Sequence, residues 1–243
     1  MCQSADNAEH FIEMGASADL VKNSGNLKYD ISVTDELQNK ISQLQKFIPE
    51  HRRLLVVGST HQGEELPALA AYKKLKNDNP ELLLVLVPRH PERFSTVTKL
   101  CEEQGFNTVT RSSKQPIIDD HEVWVIDTLG ELLSVYALAE ICIVAGSFSD
   151  VGGHNPLEPA LFSKPVLVGE NMANFKEITQ KLTVANGIVQ LEQNSELAVK
   201  LHCLLTDQEL AITIGKNALG VVLANQGATD KSIETLQSLL KHT

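Results

Sequence analysis

The sequence predicts an α/β domain built on a doubly wound parallel sheet. Short apolar runs alternate with longer amphipathic ones along most of the chain. The apolar runs are near-continuous, as in strands buried on both faces, and the connections between runs are short. No low-complexity segment or fixed-period repeat breaks the pattern.

Residues 1–30 stand outside this rhythm: Asp6–Met14 reads as a short helix and Asn23-Ser24-Gly25-Asn26 as a turn. Arg53–Val57, Leu82–Val87, Val123–Ile126, Ile141–Ala145 and Pro165–Val168 are the strong strands, with weaker ones at Thr108–Thr110 and Ile188–Leu191. Between them, Glu64–Asn77 carries Leu66, Leu69, Ala70 and Leu75 at helical spacing, and Pro91–Gln104 carries Phe94, Val97, Leu100 and Cys101. Both helices cover the sheet. A helix over Thr128–Ala139 opens with Thr128 and Glu131 spaced as a capping box. Another starts at Asn155, with Asn as N-cap and Pro156 at the first helical position. From Ala173 onward the pattern is helical, with stripes at Phe175/Ile178/Leu182, Leu197/Leu201/Leu204, Leu210/Ile214/Ala218/Val222 and Ile233/Leu236/Leu240.

Composition narrows the function classes. With 243 residues, 42% hydrophobic and 21% charged, the chain buries roughly three quarters of its unfolded surface and needs no disulfide or metal staple. Cys2, Cys101, Cys142 and Cys203 form no Cys-x-x-Cys pair, so reduced thiols are expected rather than a zinc or redox motif. Cys142 lies inside Ile141–Val144 and reads as a small buried hydrophobe. The net charge of −10 argues against general nucleic-acid binding. No apolar stretch approaches the roughly 20 residues of a membrane span and no signal peptide opens the chain, so a soluble, intracellular segment is expected.

In an open parallel sheet, ligands bind outside the carboxyl ends of the strands, so the loops there hold the functional question. Gly58-Ser59-Thr60-His61-Gln62-Gly63-Glu64-Glu65 has the glycine spacing of a P-loop, but Glu64 stands where the phosphate-reaching Lys is required. There is also no Gly-x-Gly-x-x-Gly, which disfavours an NAD-dependent enzyme. Ser59, Thr60, His61 and Gly63 still offer hydroxyls and backbone N–H groups suited to an anion or a sugar, and a plain strand-to-helix turn fits the spacing equally well. In Pro88-Arg89-His90-Pro91-Glu92-Arg93-Phe94, Arg89 is placed to meet a phosphate or carboxylate, whereas Arg93 reads as part of an exposed helix face. Leu129, Gly130 and Glu131 belong to the capping box and also offer backbone groups to a nucleobase edge.

The stretch Gly146–Pro159 (GSFSDVGGHNPLEP) is the most informative. Gly152 and Gly153 let backbone approach a ligand closely, and the helix start at Asn155 supplies unpaired N–H groups. Glu158 can accept hydrogen bonds from two ribose hydroxyls while boxing with Asn155. His61, His90 and His154 lack ligand spacing and an acidic or Cys partner, so no metal is expected. Glu64, Glu65 and Asp150 lie near the presumed cleft, and none is promoted to general base.

The run Gly152-Gly153-His154-Asn155-Pro156-Leu157-Glu158-Pro159, with Ser59–Glu65, Pro88–Phe94 and Leu129-Gly130-Glu131, resembles the 3-deoxy-D-manno-octulosonic acid (Kdo) transferases in order and approximate spacing. Gly25-Asn26-Leu27-Lys28-Tyr29-Asp30 is similar to that family's interdomain stretch, so the resemblance covers essentially the whole chain. It implies a GT-B glycosyltransferase, two Rossmann-like domains facing a cleft, of which this chain is the C-terminal half. Residues 1–30 would then be a remnant of the acceptor domain and linker, and 31–243 the CMP-sugar domain.

By that resemblance, Pro88 and Arg89, Leu129 to Glu131, and Asn155, Pro156, Leu157 and Glu158 hold the CMP of the donor, with Glu158 on ribose and Arg89 at the phosphate. Gly152, Gly153 and His154 fall near phosphate or Kdo. The implied reaction is inverting transfer of Kdo from CMP-Kdo to a lipid A precursor in lipopolysaccharide synthesis, without metal or cofactor. Helix N–H groups and Arg89 stabilise the departing CMP. A base activates the acceptor hydroxyl. In the family that base and the membrane-associating surface lie in the N-terminal domain, at the cytoplasmic face of the bacterial inner membrane. The expectation is therefore that this chain binds CMP or CMP-Kdo, carries no catalytic base and transfers no sugar alone. The rival readings are a nucleotide-sugar epimerase or UDP-sugar transferase of the same architecture, and a non-catalytic nucleotide-binding module.

Overall fold

The computed structural model describes residues 1–240. One sheet contains β1 (Arg53–Thr60), β2 (Leu82–Pro88), β3 (Thr108–Thr110), β4 (Val123–Val125), β5 (Ile141–Val144), β6 (Val166–Val168) and β7 (Val189–Gln190). Its order is β3-β4-β2-β1-β5-β6-β7, with every neighbouring pair parallel. All seven strands therefore fall where the apolar runs place them.

Alternate strand residues serve opposite faces of the sheet. Leu55, Val57, Leu84, Leu86, Val125, Ile143 and Leu167 join one buried cluster with residues of α3 (Glu65–Leu75), α4 (Phe94–Glu103) and α8 (Leu197–Thr206). On the other side, α2 (Asp35–Gln45) packs on α5 (Leu132–Leu138), and α5 on β1. Every residue of β2 is buried, each large side chain contributing about 1.5–3 kcal/mol relative to exposure.

At the amino end of the sheet a buried cation takes the place of packing. Arg52 is 7% exposed and donates from Nε to Glu81 O at 3.1 Å, from Nη1 to Ile118 O and Asp119 O at 3.1 and 3.2 Å, and from Nη2 to Leu82 O and His121 O at 3.3 and 2.8 Å. The guanidinium thus pins the otherwise irregular 115–122 segment beneath β2.

Two helix starts differ from expectation. The 128–139 helix begins only at Leu132, with no side-chain cap. The Glu131 carboxylate is held by the Thr128 hydroxyl and by Arg111, whose Nε lies 3.1 Å away, so no capping box forms. The helix at Asn155 is a single turn, α6 (Leu157–Ala160). Asn155 Oδ1 does accept from Leu157 N at 3.2 Å, and Ser163 in the left-handed region (φ 54°) turns the chain away after one turn.

Later helices are α7 (Lys176–Val184), α9 (Gln208–Ala224) and α10 (Ala228–Leu240). The stripes on α7 and α8 are buried at Ile178, Leu182, Leu197, Leu201 and Leu204, whereas Leu210 of the third stripe and Ile233, Leu236 and Leu240 of the fourth are exposed.

The chain divides into two compact units: residues 33–219, which hold the sheet, and residues 1–32 with the chain from Gly220 onward. In the second unit, α1 (Ala5–Glu13) is capped by Ser4 Oγ, which accepts from Asn7 N. Asp30 accepts from Gly227 N at 2.7 Å and from Thr229 N, anchoring the start of α10. Gly25, at φ +90°, packs against Ala228. The 25–30 stretch is thereby bound into the same unit as α10.

Candidate functional site

The chain runs from β1 to β2, on to the edge strand β3 and back to β4 between them, then crosses to β5 on the other side of β1. That reversal leaves a crevice at the carboxyl ends of β1 and β5, where open α/β sheets take their ligands. Gly58 of β1 is required there, because a Cβ would overlap the Tyr136 hydroxyl and Leu132 of α5. The Leu129–Glu131 turn, immediately before Leu132, is thus brought to the rim, with Leu129 73% exposed.

Glu64 clasps the crevice together. Its carboxylate is 4% exposed; Oε2 accepts from His61 N at 2.9 Å and Gly146 N at 2.8 Å, and Oε1 from Phe148 N at 3.0 Å and Ser149 Oγ at 3.4 Å. One side chain after β1 therefore organises the loop after β5. Beside it, Glu65 is 1% exposed and pairs with Arg93, whose Nη2 donates to Oε2 at 2.9 Å and whose Nη1 donates to Thr60 O at 2.9 Å. Arg93 is therefore not on an exposed face as expected. A carboxylate buried beneath the loop needs its charge answered.

Arg89 is exposed, one residue beyond buried Pro88, and its backbone N–H is fixed to Thr60 O at 3.1 Å. Its charge acts on Glu158, His61 and His154, so residues from three loops face one place. Glu158 is held above the usual carboxylate range by burial, opposed by Arg89 and by a hydrogen bond with Asn155. Tyr136, fully buried, is pushed well above its ordinary value by burial first and then by the nearby Glu158 charge. His61 Nε2 and His154 Nε2 lie 2.8 Å apart, and the His90 ring sits edge-on to His61.

Other expected contacts are placed differently. Ser59 and Thr60 are buried at 6% and 0% exposure, the Thr60 hydroxyl without a hydrogen-bond partner. Ser59 adopts φ 60° where the β1–β2 register shifts. Gly63 lies exposed at φ +94° with nothing near it. The reading of Gly152 and Gly153 as a place of close ligand approach meets a different occupant. A Cβ on Gly153 would overlap the Met172 sulfur, and one on Gly152 would come within 2.8 Å of Asn174. The loop after β6 fills that space: Asn174 N donates to Gly152 O at 2.9 Å and Asn174 Nδ2 to Val151 O at 2.8 Å. Asn171 Nδ2 likewise donates to Ser149 O at 2.9 Å. Among the described residues, no group of three His, Cys, Asp or Glu is arranged to hold a metal ion.

No protein-family model matches the chain. The crystal structure of the C-terminal CMP-Kdo binding domain of WaaA from Acinetobacter baumannii superposes with a TM-score of 0.72 at 30% identity, covering 78% of this chain and 99% of that one. The chain belongs to the Kdo transferase family. The 3-deoxy-D-manno-octulosonic acid transferase of Haemophilus influenzae is 33% identical over 236 residues, 97% of this chain and 55% of the relative. This chain thus spans about half the length of the curated Kdo transferases it matches. Its sheet is the C-terminal, Rossmann-like half of a GT-B glycosyltransferase. The UDP-GlcNAc 2-epimerase of Neisseria meningitidis, bound to UDP-GlcNAc, has a TM-score of 0.61 at 16% identity, covering 96% of this chain and 59% of that one, a likeness of fold alone.

Glu64, Tyr136, Asn171 and Asn174 were not legible as site-building residues. Their spacing carries no pattern, because each acts through a contact to a distant loop.

Proposed function

We propose that this chain holds the CMP part of CMP-Kdo and serves as the donor half of an inverting Kdo transferase that acts on a lipid A precursor at the cytoplasmic face of the inner membrane. The observation that carries this reading is the meeting of Arg89, Glu158 and Asn155 at the β1/β5 crevice, in a chain whose relative from A. baumannii is described as a CMP-Kdo binding domain.

Arg89, fixed through its backbone, answers the single phosphate. Glu158 accepts from the ribose hydroxyls, its half-buried carboxylate having room for further donors beside Asn155. Pro88 and the Leu129–Glu131 turn frame the base, and Asn155, Pro156 and Leu157 present the short helix start to the phosphate. As CMP departs, charge developing on its phosphate is met chiefly by Arg89, since Pro156 has no N–H and that of Leu157 is held by Asn155 Oδ1; no metal or cofactor is called on. No residue here is assigned as base: Glu64 and Glu65 are engaged internally and Asp150 is exposed.

Calorimetry with CMP, UMP and UDP tests the reading. CMP is expected to bind most tightly, and tighter binding of UDP overturns it in favour of a UDP-sugar enzyme.

A further inference from the structure

The crevice contains a contact to which the CMP reading above gives no role. His61 and His154 meet through their Nε2 atoms at 2.8 Å, with ring centroids 5.1 Å apart and planes 7° from parallel. One ring must donate and the other accept, so each is locked to its partner. His90 closes on His61 with centroids 5.2 Å apart. The charges facing His61 are Glu64, His90, Arg93 and Arg89, and those facing His154 are His61, Arg89 and His90. Burial, followed by His61, Arg89 and His90, pushes His154 down to about 4; burial lowers His61 as well, against an opposing pull from Glu64. Both shifts favour the uncharged form of the pair, and Glu158 opposes Arg89.

A CMP-linked sugar acid brings two negative charges, a phosphodiester and a carboxylate. Arg89 answers one. A second anion set against neutral imidazoles would be left without a counter-charge unless a proton arrived with it. Resting on the donor-binding reading above, we propose that the His61–His154 pair seats the carboxylate of the sugar acid and takes up one proton as the donor binds. The pair is then the specificity-determining element for acidic-sugar donors. The anion replaces the Nε2–Nε2 hydrogen bond with an acceptor for each ring and offsets the repulsion from Arg89. The proton comes from solvent, and no covalent step is involved.

The test compares CMP-Kdo with cytidine 5′-(methyl phosphate), which has the phosphodiester but no carboxylate, by calorimetry in buffers of differing ionisation enthalpy. CMP-Kdo is expected to take up about one proton near neutral pH, and the methyl ester none. Binding raises the pair's pKa from its low free value, so between the two values CMP-Kdo affinity falls about tenfold per pH unit raised. In the His61→Gln/His154→Gln protein, the affinity ratio of CMP-Kdo to the methyl ester falls at least about tenfold, the loss of one charge-assisted contact. Equal proton uptake for the two ligands, or a pH-independent CMP-Kdo affinity, overturns the proposal while leaving the donor-binding reading intact if CMP still binds. Absence of binding by CMP and both other ligands overturns the reading and the proposal together.

Discussion

Replacing Glu64 with Ala removes the acceptor that ties the β1 loop to the β5 loop. Three backbone N–H groups and one hydroxyl lose their partner. Gly146 is buried outright, so its orphaned N–H bears the full penalty of about 1–3 kcal/mol. His61, Phe148 and Ser149 are half-buried; water can reach them, and each loss is nearer to about 0.5 kcal/mol. The sum is about 2.5–4.5 kcal/mol, a large part of the ~5–15 kcal/mol typical of a domain. Glu64→Gln keeps one acceptor oxygen but turns an amide N–H₂ toward donors, so it falls between wild type and Ala. Urea unfolding measures both, with an unchanged slope marking a change in stability rather than in the unfolded state. CMP affinity is expected to fall in parallel, because the same bonds position the β5 loop that leads to Asn155 and Glu158. An Ala variant within about 0.5 kcal/mol of wild type refutes the clasp, since surface changes fall in that range.

The remaining predictions concern packing and charge. Gly58→Ala forces a methyl group into the Tyr136 hydroxyl and Leu132, and thermal melts should show a loss of about 1–3 kcal/mol or more. Arg52→Met leaves five carbonyl contacts unmet, one of them buried and four part-buried; denaturant titration should register about 2–4 kcal/mol, while CMP binding by the folded fraction is retained, since Arg52 sits at the opposite end of the sheet. Glu158 has a folded pKa above its unfolded value, because burial disfavours its charge. Ionisation therefore costs stability as pH rises through the unfolded value near 4.5 toward the higher folded one, and the cost stays constant above it. Glu158→Gln should raise the melting temperature at neutral pH, lose that advantage below pH 4.5, and abolish CMP binding. A melting temperature lowered at neutral pH would instead mark Glu158 as a helix cap.

The strands were legible because burial on both faces leaves a signal that needs no partner. Leu82–Val87 and Ile141–Val144 are apolar without interruption, and their shortness and alternation with amphipathic runs mark them as strands, whereas the equally apolar Val221–Ala224 continues a helical stripe. Helix interiors were legible for a similar reason, and helix starts less so. Thr128 and Glu131 have capping-box spacing, yet Arg111, from a loop that sequence distance does not relate to them, captures the Glu131 carboxylate. A cap is a contest among nearby donors for one acceptor, and sequence shows only the local contestants.

The same asymmetry runs through the crevice. Arg89, Asn155 and Glu158 were legible as a set because cations at a strand end and a carboxylate one turn into a helix are unusual where they stand, whatever surrounds them. Arg93 was misplaced because its partner, Glu65, lies on a different helix and is 1% exposed. Gly152 and Gly153 looked available to a ligand because a missing side chain marks only that something comes close. Met172 and Asn174, from the loop after β6, are what comes close. A glycine therefore states a steric demand without naming its source. By contrast, His154 faces Arg89 and two imidazoles with no carboxylate among them, so its counter-charge has to come from outside, and a ligand's chemistry is read from such a group.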